Sequence, residues 1–325
     1  MAFVHYLKKP ELRSPVLVAA FAGWNDAAEA ATTAVKFLID RWKTICIAEI
    51  EPEEFYVFTE TRPTVQTKRG HVRSINWPAN QFYAFVDPTW ERDVILYVGV
   101  EPQLKWKTFT SAFMEVCKRF NVSETLLLGA FLANIPHSMD VPVTGYSSTQ
   151  EMLERMHEID VQSSRYEGPT GITGVLHDAI SRAKIPVSSL WAAAPHYLVA
   201  TPNIKVTAAL LTYLNTFLSF DLDLSDFQND AIRFEEQISA LVARDPEASA
   251  FVRKLEKETE NMLAEGDEDE SDDDEEEATS TLDKPPVSGP LPSADTLIRS
   301  VEELLRKERK NNQNDDESDN DEEHG

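Results

Sequence analysis

Three stretches of the sequence hold residue types that could do chemistry. The first is Gly-Trp-Asn-Asp at 23–26, between the apolar run PVLVAAF and a helical pattern. A helix N-terminus after a strand offers free amide donors and partial positive charge, a ready seat for a phosphate. Here Asn25 or Asp26 is available as a cap, and Asp26 and Glu29 place carboxylates in or near the first turn. Those acids satisfy the helix end and repel a phosphate, so the turn is read as a helix start. Trp24 is a core plug or a rim aromatic, and the core plug is the expected role.

The second stretch is YEGPTGITGVLHDA, where Gly168, Gly171 and Gly174 recur every three residues and open a helix. With the hydroxyls of Thr170 and Thr173 it is chemically an anion cradle. It matches neither the dinucleotide fingerprint nor a Walker loop, since no Gly-Lys-Ser/Thr follows. The alternative is a tight turn whose glycines let the helix pack closely. The third feature is a pair of Pro-His steps after apolar strands: Pro136-His137, with Asp140 and Pro142 beyond it, and Pro195-His196, with Pro202 beyond. In a parallel sheet both lie past strand C-termini, where α/β proteins bind ligands. A ligand pocket would then draw on His137, Asp140, Gly168, Thr170, Gly171, Thr173, Gly174 and His196. The two histidines are equally suited to hydrogen-bonding loop carbonyls. No G-x-S-x-G elbow, no H-E-x-x-H and no Cys/His zinc spacing occurs, so no catalytic residue, metal set or cofactor is assigned.

The elements that must position these residues alternate between strand and helix. Val16–Phe21, Ile45–Ile50, Val94–Val100, Thr125–Phe131 and Ser188–Ala194 read as buried strands, and Val141–Tyr146 as extended. Helices are predicted over 26–41, 106–120, 148–158, 172–184 and 203–219. Between Phe55 and Val86 short β-rich pieces (FYVFTE, TVQ, HVRSINW, QFYAF) suggest hairpins. The prediction is a three-layer α/β/α fold over residues 1–222, with a mixed, largely parallel sheet. Phe227, Ala231, Phe234, Ile238 and Leu241 then form a narrow apolar seam. Asp245-Pro246 restarts a helix striped by Ala248, Phe251/Val252 and Leu255. A helical hairpin is therefore expected over 223–263, packed on its own core or offered to another protein, the former favoured. Residues 264–292 read as an acidic, then Pro-rich, disordered linker, 293–310 as an amphipathic helix, and 311–325 as a disordered acidic tail.

The chain of 325 residues has a net charge of −25, but 11 acids fall in 265–277 and seven in 315–323. Without those 18 charges the remainder is −7, so the acidity belongs to the tail. No basic stripe suited to nucleic acid is evident. No apolar run is long enough for a membrane span or a signal peptide. The two cysteines, Cys46 and Cys117, suit a reducing cytoplasm.

Four of these stretches, in order, carry a resemblance: GWNDAAEAAT, LLGAFLANIPHSMDVPVTGYSS, YEGPTGITGVLHDA and SLWAAAPHYLVATPNIKVTAALL. Over about residues 1–260 the chain resembles the proteasome assembly chaperone 2 family in its prokaryotic form. Trp24, Asn25, Asp26, Pro136, His137, Gly168, Gly171, Pro195 and His196 match family motifs. The resemblance implies a phosphorylase-like three-layer fold without the phosphorylase active site, and homo-oligomers, a trimer being the form expected. It also implies a non-enzymatic chaperone role through protein contacts, with proteasome subunits as candidate partners. Some archaeal relatives end in a hydrophobic-tyrosine-any-residue motif that docks on the proteasome. This chain ends DEEHG, so docking through that motif is not expected. The alternative function is a small-ligand binder or enzyme of phosphorylase-like fold, built on the Gly168–Gly174 loop with His137 and His196.

Overall fold

The computed structural model describes residues 3–68, 72–164, 166–199 and 202–266. The strands are β1 (Val4–Tyr6), β2 (Val16–Ala22), β3 (Ile45–Ile50), β4 (Thr64–Lys68), β5 (Val72–Asn76), β6 (Gln81–Phe85), β7 (Val94–Val100), β8 (Glu124–Ala133), β9 (Val143–Ser147), β10 (Gln162–Ser163) and β11 (Val187–Pro195). The helices are α1 (Ala30–Arg41), α2 (Trp106–Arg119), α3 (Gln150–His157), α4 (Ile172–Arg182), α5 (Ile204–Leu218), α6 (Ser225–Val242) and α7 (Pro246–Gly266).

Strands rich in Val, Leu, Ala and Phe without polar alternation must be covered on both faces. Nine strands accordingly form one sheet in the order β1-β3-β6-β7-β2-β8-β11-β9-β10. The central strands β7, β2, β8 and β11 are parallel; β6 and β9 run antiparallel to them, β3 pairs antiparallel with β6, and β1 with β3. The sheet is thus mixed with a parallel centre. One face buries Val16, Val18 and Ala20 of β2 against α1, α3 and α5. The alternate residues Leu17, Ala19 and Phe21 face α2 and α4 with Phe109, Phe113 and Leu176. The single-residue alternation of side chains between faces therefore sorts the two outer layers.

Two local readings need correction. Phe55–Glu60 is a run of turns rather than a strand, with the Phe55 ring buried beneath it. The first helix begins at Ala30, after a 3-10 turn at Ala27–Glu29 in which Ala28 and Glu29 adopt φ of 54° and 51°. The seam of α6 packs inward: Phe234, Ile238 and Val242 bury with Ala248, Val252 and Leu255 of α7 against Tyr197 and Leu198 of the core. Phe227 meets Phe37 of α1 at 5.0 Å. Helix α7 runs on to Gly266. The predicted segments 293–310 and 311–325, and nearly all of 264–292, lie outside the described residues.

Candidate functional site

Strand β3 runs antiparallel to β6, and β6 antiparallel to β7, so β3 points the same way as the parallel centre. The segments leaving β2, β3, β7, β8 and β11 thus emerge on one edge of the sheet. All four quoted sequence stretches, two of them through their Pro-His steps, reach this edge.

At this edge the Gly-Trp-Asn-Asp turn closes on the Gly23 carbonyl, which accepts the Asp26 N–H at 3.1 Å. Gly23 holds φ of 119°, a conformation that favours glycine. The buried Asp26 carboxylate accepts the Ala31 and Thr32 N–H groups at 2.7 and 3.3 Å and the Thr32 hydroxyl at 2.5 Å. Asp26, rather than Asn25, therefore caps α1. Burial pushes its carboxyl pKa up, and these hydrogen bonds pull the other way. Trp24 is not a core plug: its side chain stands 61% exposed.

Asn25 is fully buried and reaches sideways. Its Nδ2 donates to Glu101 Oε1 at 2.8 Å, and the same oxygen accepts the Ile172 N–H at 2.8 Å. Glu101 follows the last residue of β7, and Ile172 is the first residue of α4. The free amide that would hold an anion at the N-terminus of α4 is thus engaged by the chain's own carboxylate. Gly171 is needed because a Cβ there would overlap Asn25 Oδ1. Gly168 and Thr170 lie exposed beside Tyr166, whose hydroxyl donates to the Pro169 carbonyl at 3.0 Å. Thr173 is buried, and Gly174 sits next to the Thr170 hydroxyl.

The histidines face a different neighbour. The Tyr197 oxygen accepts the His137 backbone N–H at 2.7 Å and lies 2.8 Å from His137 Nδ1. On the other side of the ring, His137 Nε2 lies 3.1 Å from Ser239 Oγ on α6. The consistent assignment has the tyrosine hydroxyl donating to Nδ1 and the Nε2–H donating to the serine. Burial, and then Lys205, lower the His137 pKa to about 4, so the ring is neutral at pH 7. Lys205 Nζ donates to the carbonyls of His137 and Met139, both at 2.7 Å, and pairs with Glu235 at 2.6 Å. His196 is half-buried against Tyr197 and Phe251. Asp140 is exposed. The histidines therefore join the core to the α6–α7 hairpin, while the glycine loop contacts Asn25 and Glu101.

A cavity of about 10 Å³, room for one water, lies between His137, Pro195, Lys205 and Phe234. A larger groove of about 460 Å³ runs along the sheet face, walled by Lys36 and Asp40 of α1 and floored by Gln81, Tyr83 and Val98. Neither is lined by the glycine loop. Among the described residues no three His, Cys, Asp or Glu side chains gather as metal ligands, and no helix is long and apolar enough to cross a membrane.

Ten large apolar side chains stand exposed among the described residues; Leu7, Val86, Tyr146 and Ile232 lie elsewhere, and the other six lie along this edge. Trp24, Val65, Ile75, Trp77, Leu104 and Tyr166 are each 44% or more exposed. Every one lies on a segment that leaves or enters this edge. Sequence reasoning missed Glu101 and Lys205. Each carries a faint signal: an acid directly after a buried strand, and a lone cation in the first turn of an apolar helix.

A family model described as PAC2 family matches residues 20–242. No curated protein sequence matches the chain. A PAC2 family protein from Streptomyces avermitilis is 38% identical, covering 73% of this chain and 99% of its own, with a TM-score of 0.67. A Mycobacterium tuberculosis proteasome-assembly chaperone homologue is 39% identical over the same shares, with a TM-score of 0.66. A Pyrococcus furiosus archaeal proteasome activator, 17% identical, covers 73% of this chain and 97% of its own, and shares the fold at a TM-score of 0.60. The four quoted motifs fall within the matched span, and all four reach one edge of the sheet. The chain belongs to the PAC2 family, in its prokaryotic branch.

Proposed function

We propose that this protein is a non-enzymatic, assembly-chaperone-like factor whose binding surface is the C-terminal edge of the parallel strands. The observation that carries the reading is the gathering of Trp24, Leu104, Tyr166 and Trp77 on that edge, all exposed. Aromatic residues are enriched at protein interfaces, where one large ring covers much area at little entropic cost. The name of the Mycobacterium tuberculosis relative points to proteasome subunits as the partner class. A cytoplasmic homo-oligomer, trimeric as the resemblance implies, fits the same reading, because the chaperone surface then repeats around a ring.

The alternative is a small-ligand binder using Gly168, Thr170, Gly171, Thr173 and Gly174 with His137, Asp140 and His196. The Glu101 carboxylate weighs against an anion there, since a phosphate would have to displace or sit against it. The test is to mix the purified chain with proteasome α-subunits of the same host and weigh the products by native mass spectrometry. A defined complex that disappears on Trp24→Ser/Trp77→Ser supports the reading. No complex at about 10 μM of each, a range that reveals micromolar affinity, removes α-subunits as the partner.

A further inference from the structure

We propose that the Trp24–Glu101 corner of this edge is a seat for an arginine side chain, so that the protein surface it takes is basic. The inference rests on reading the edge as the binding surface, and it names the chemistry of what binds there. Trp24 stands exposed. The Glu101 N–H donates to the Ala22 carbonyl at 2.8 Å, which sets the exits of β2 and β7 side by side. The Glu101 carboxylate lies against Gly23, the residue before Trp24: a Cβ on that glycine would stand 3.7 Å from Oε2.

Glu101 is only half used. Its Oε1 accepts both of the bonds from Asn25 Nδ2 and the Ile172 N–H. Its Oε2 accepts nothing among the described residues and is not enclosed. Asn25 Oδ1 is buried with no donor at all. The corner is thus short of hydrogen-bond donors and carries a fixed negative charge. Nor does the chain supply a cation: among the described residues no Lys, Arg or His pairs with Glu101 or with Glu29 of the same loop. The sequence has no Lys or Arg from Ser14 to Val35 or from Val94 to Leu104. Lys105, which comes next, is engaged by Glu54.

An exposed indole beside a free carboxylate oxygen suits a guanidinium better than an ammonium. The planar cation stacks on the ring while one N–H donates to the oxygen. The seat is also preformed. Asp26 pins the loop through the Ala31 and Thr32 amides and the Thr32 hydroxyl, and Ala28 and Glu29 hold φ of 54° and 51°. A loop already ordered loses little entropy on binding.

A capped arginine, N-acetyl-arginine methylamide, titrated into the full-length chain labelled with fluorotryptophan tests the seat. The Trp24 fluorine resonance, identified by its loss in Trp24→Phe, should shift and saturate in the millimolar range. Capped citrulline, the uncharged analogue, should bind about fivefold or more weakly. Capped lysine should bind more weakly than capped arginine, because an ammonium does not stack. Glu101→Gln keeps an acceptor for Asn25 and Ile172 and should cost the arginine probe the same factor as citrulline does. In the native chain the affinity should fall between about 0.02 and 0.5 M salt. A Trp24 resonance that does not move overturns the proposal, as does equal binding of citrulline or lysine, or an affinity that survives Glu101→Gln or high salt. The probe needs no α-subunit, so failure here and failure of the proposed function are read separately.

Discussion

Glu101 shows how a single residue decides what a motif can do. The spacing of Gly168, Gly171 and Gly174 was legible in the sequence, as was the helix they open. What fills the N-terminus of that helix was not, because Glu101 lies 71 residues away in the chain. Replacing Glu101 with Ala strands Asn25 Nδ2 and the Ile172 amide and should cost about 2 kcal/mol, whereas Glu101→Gln keeps an acceptor and should cost less than half of that. Urea denaturation of the two variants checks this ordering. Gly171→Ala should destabilise by about 1–3 kcal/mol, since Asn25 is buried and pinned. Gly168→Ala meets only the movable end of exposed Tyr166 and should be nearly neutral. The capping role of the Asn-Asp pair was readable from residue type, but the choice of Asp26 was not. Nor was the exposure of Trp24, because residue type alone does not say whether a ring at a turn points inward.

Histidine burial gives this scale a pH dependence. Unfolded histidines titrate near 6.5, whereas His137 and His177 are lowered to about 4 in the fold, chiefly by burial. Between those values the unfolded chain binds more protons. Stability is therefore fully present above about pH 6.5 and declines as pH falls toward 4, by up to about 1.4 kcal/mol per pH unit for each histidine. His196 is lowered in the same sense. Denaturation midpoints from pH 7 to 4.5 should show this slope, and His177→Gln should reduce it by one histidine's share. A flat profile would mean that these rings are protonated in the fold.

Among the elements, the strands and helices of the core were legible because apolar runs and 3.6-residue stripes have only one packed solution. The helical hairpin was legible as two stripes, and packing on its own core was the favoured reading because two short segments fall below coiled-coil length. Its fastening through Tyr197, His137 and Ser239 was not, since those residues lie 60 and 102 positions apart. Ile238 is fully buried in that seam. Ile238→Ala should therefore cost about 2–5 kcal/mol and increase proteolysis of α6 and α7 before the core. Simultaneous loss of core protection would instead mean that the hairpin and the sheet unfold as one unit. The ribbon of β4 and β5 was anticipated as a hairpin, but its separation from the main sheet depends on the turns at Phe55–Glu60. Those turns were misread because FYVFTE has strand-like composition. Their aromatic rings fold down into the α2 layer, where Phe55 meets Phe109 at 5.2 Å.

For the whole molecule, surface character is uneven. The sheet is buried through its centre, the hairpin consumes its own seam, and the parallel strands' C-terminal edge leaves Trp24, Trp77 and Tyr166 exposed while burying Phe55, Tyr56 and Tyr197. That Trp24, Trp77, Leu104 and Tyr166 share one edge of the sheet needed the topology, because they are far apart in the chain. The most direct measurement is capture of binding partners from host lysate on the tagged full-length protein, quantified by mass spectrometry against a Trp24→Ser/Trp77→Ser/Leu104→Ser variant of equal melting temperature. The prediction is a near-stoichiometric protein partner retained by the native chain and lost by the variant. The same partner held equally by both would contradict the placement of the binding surface at this edge.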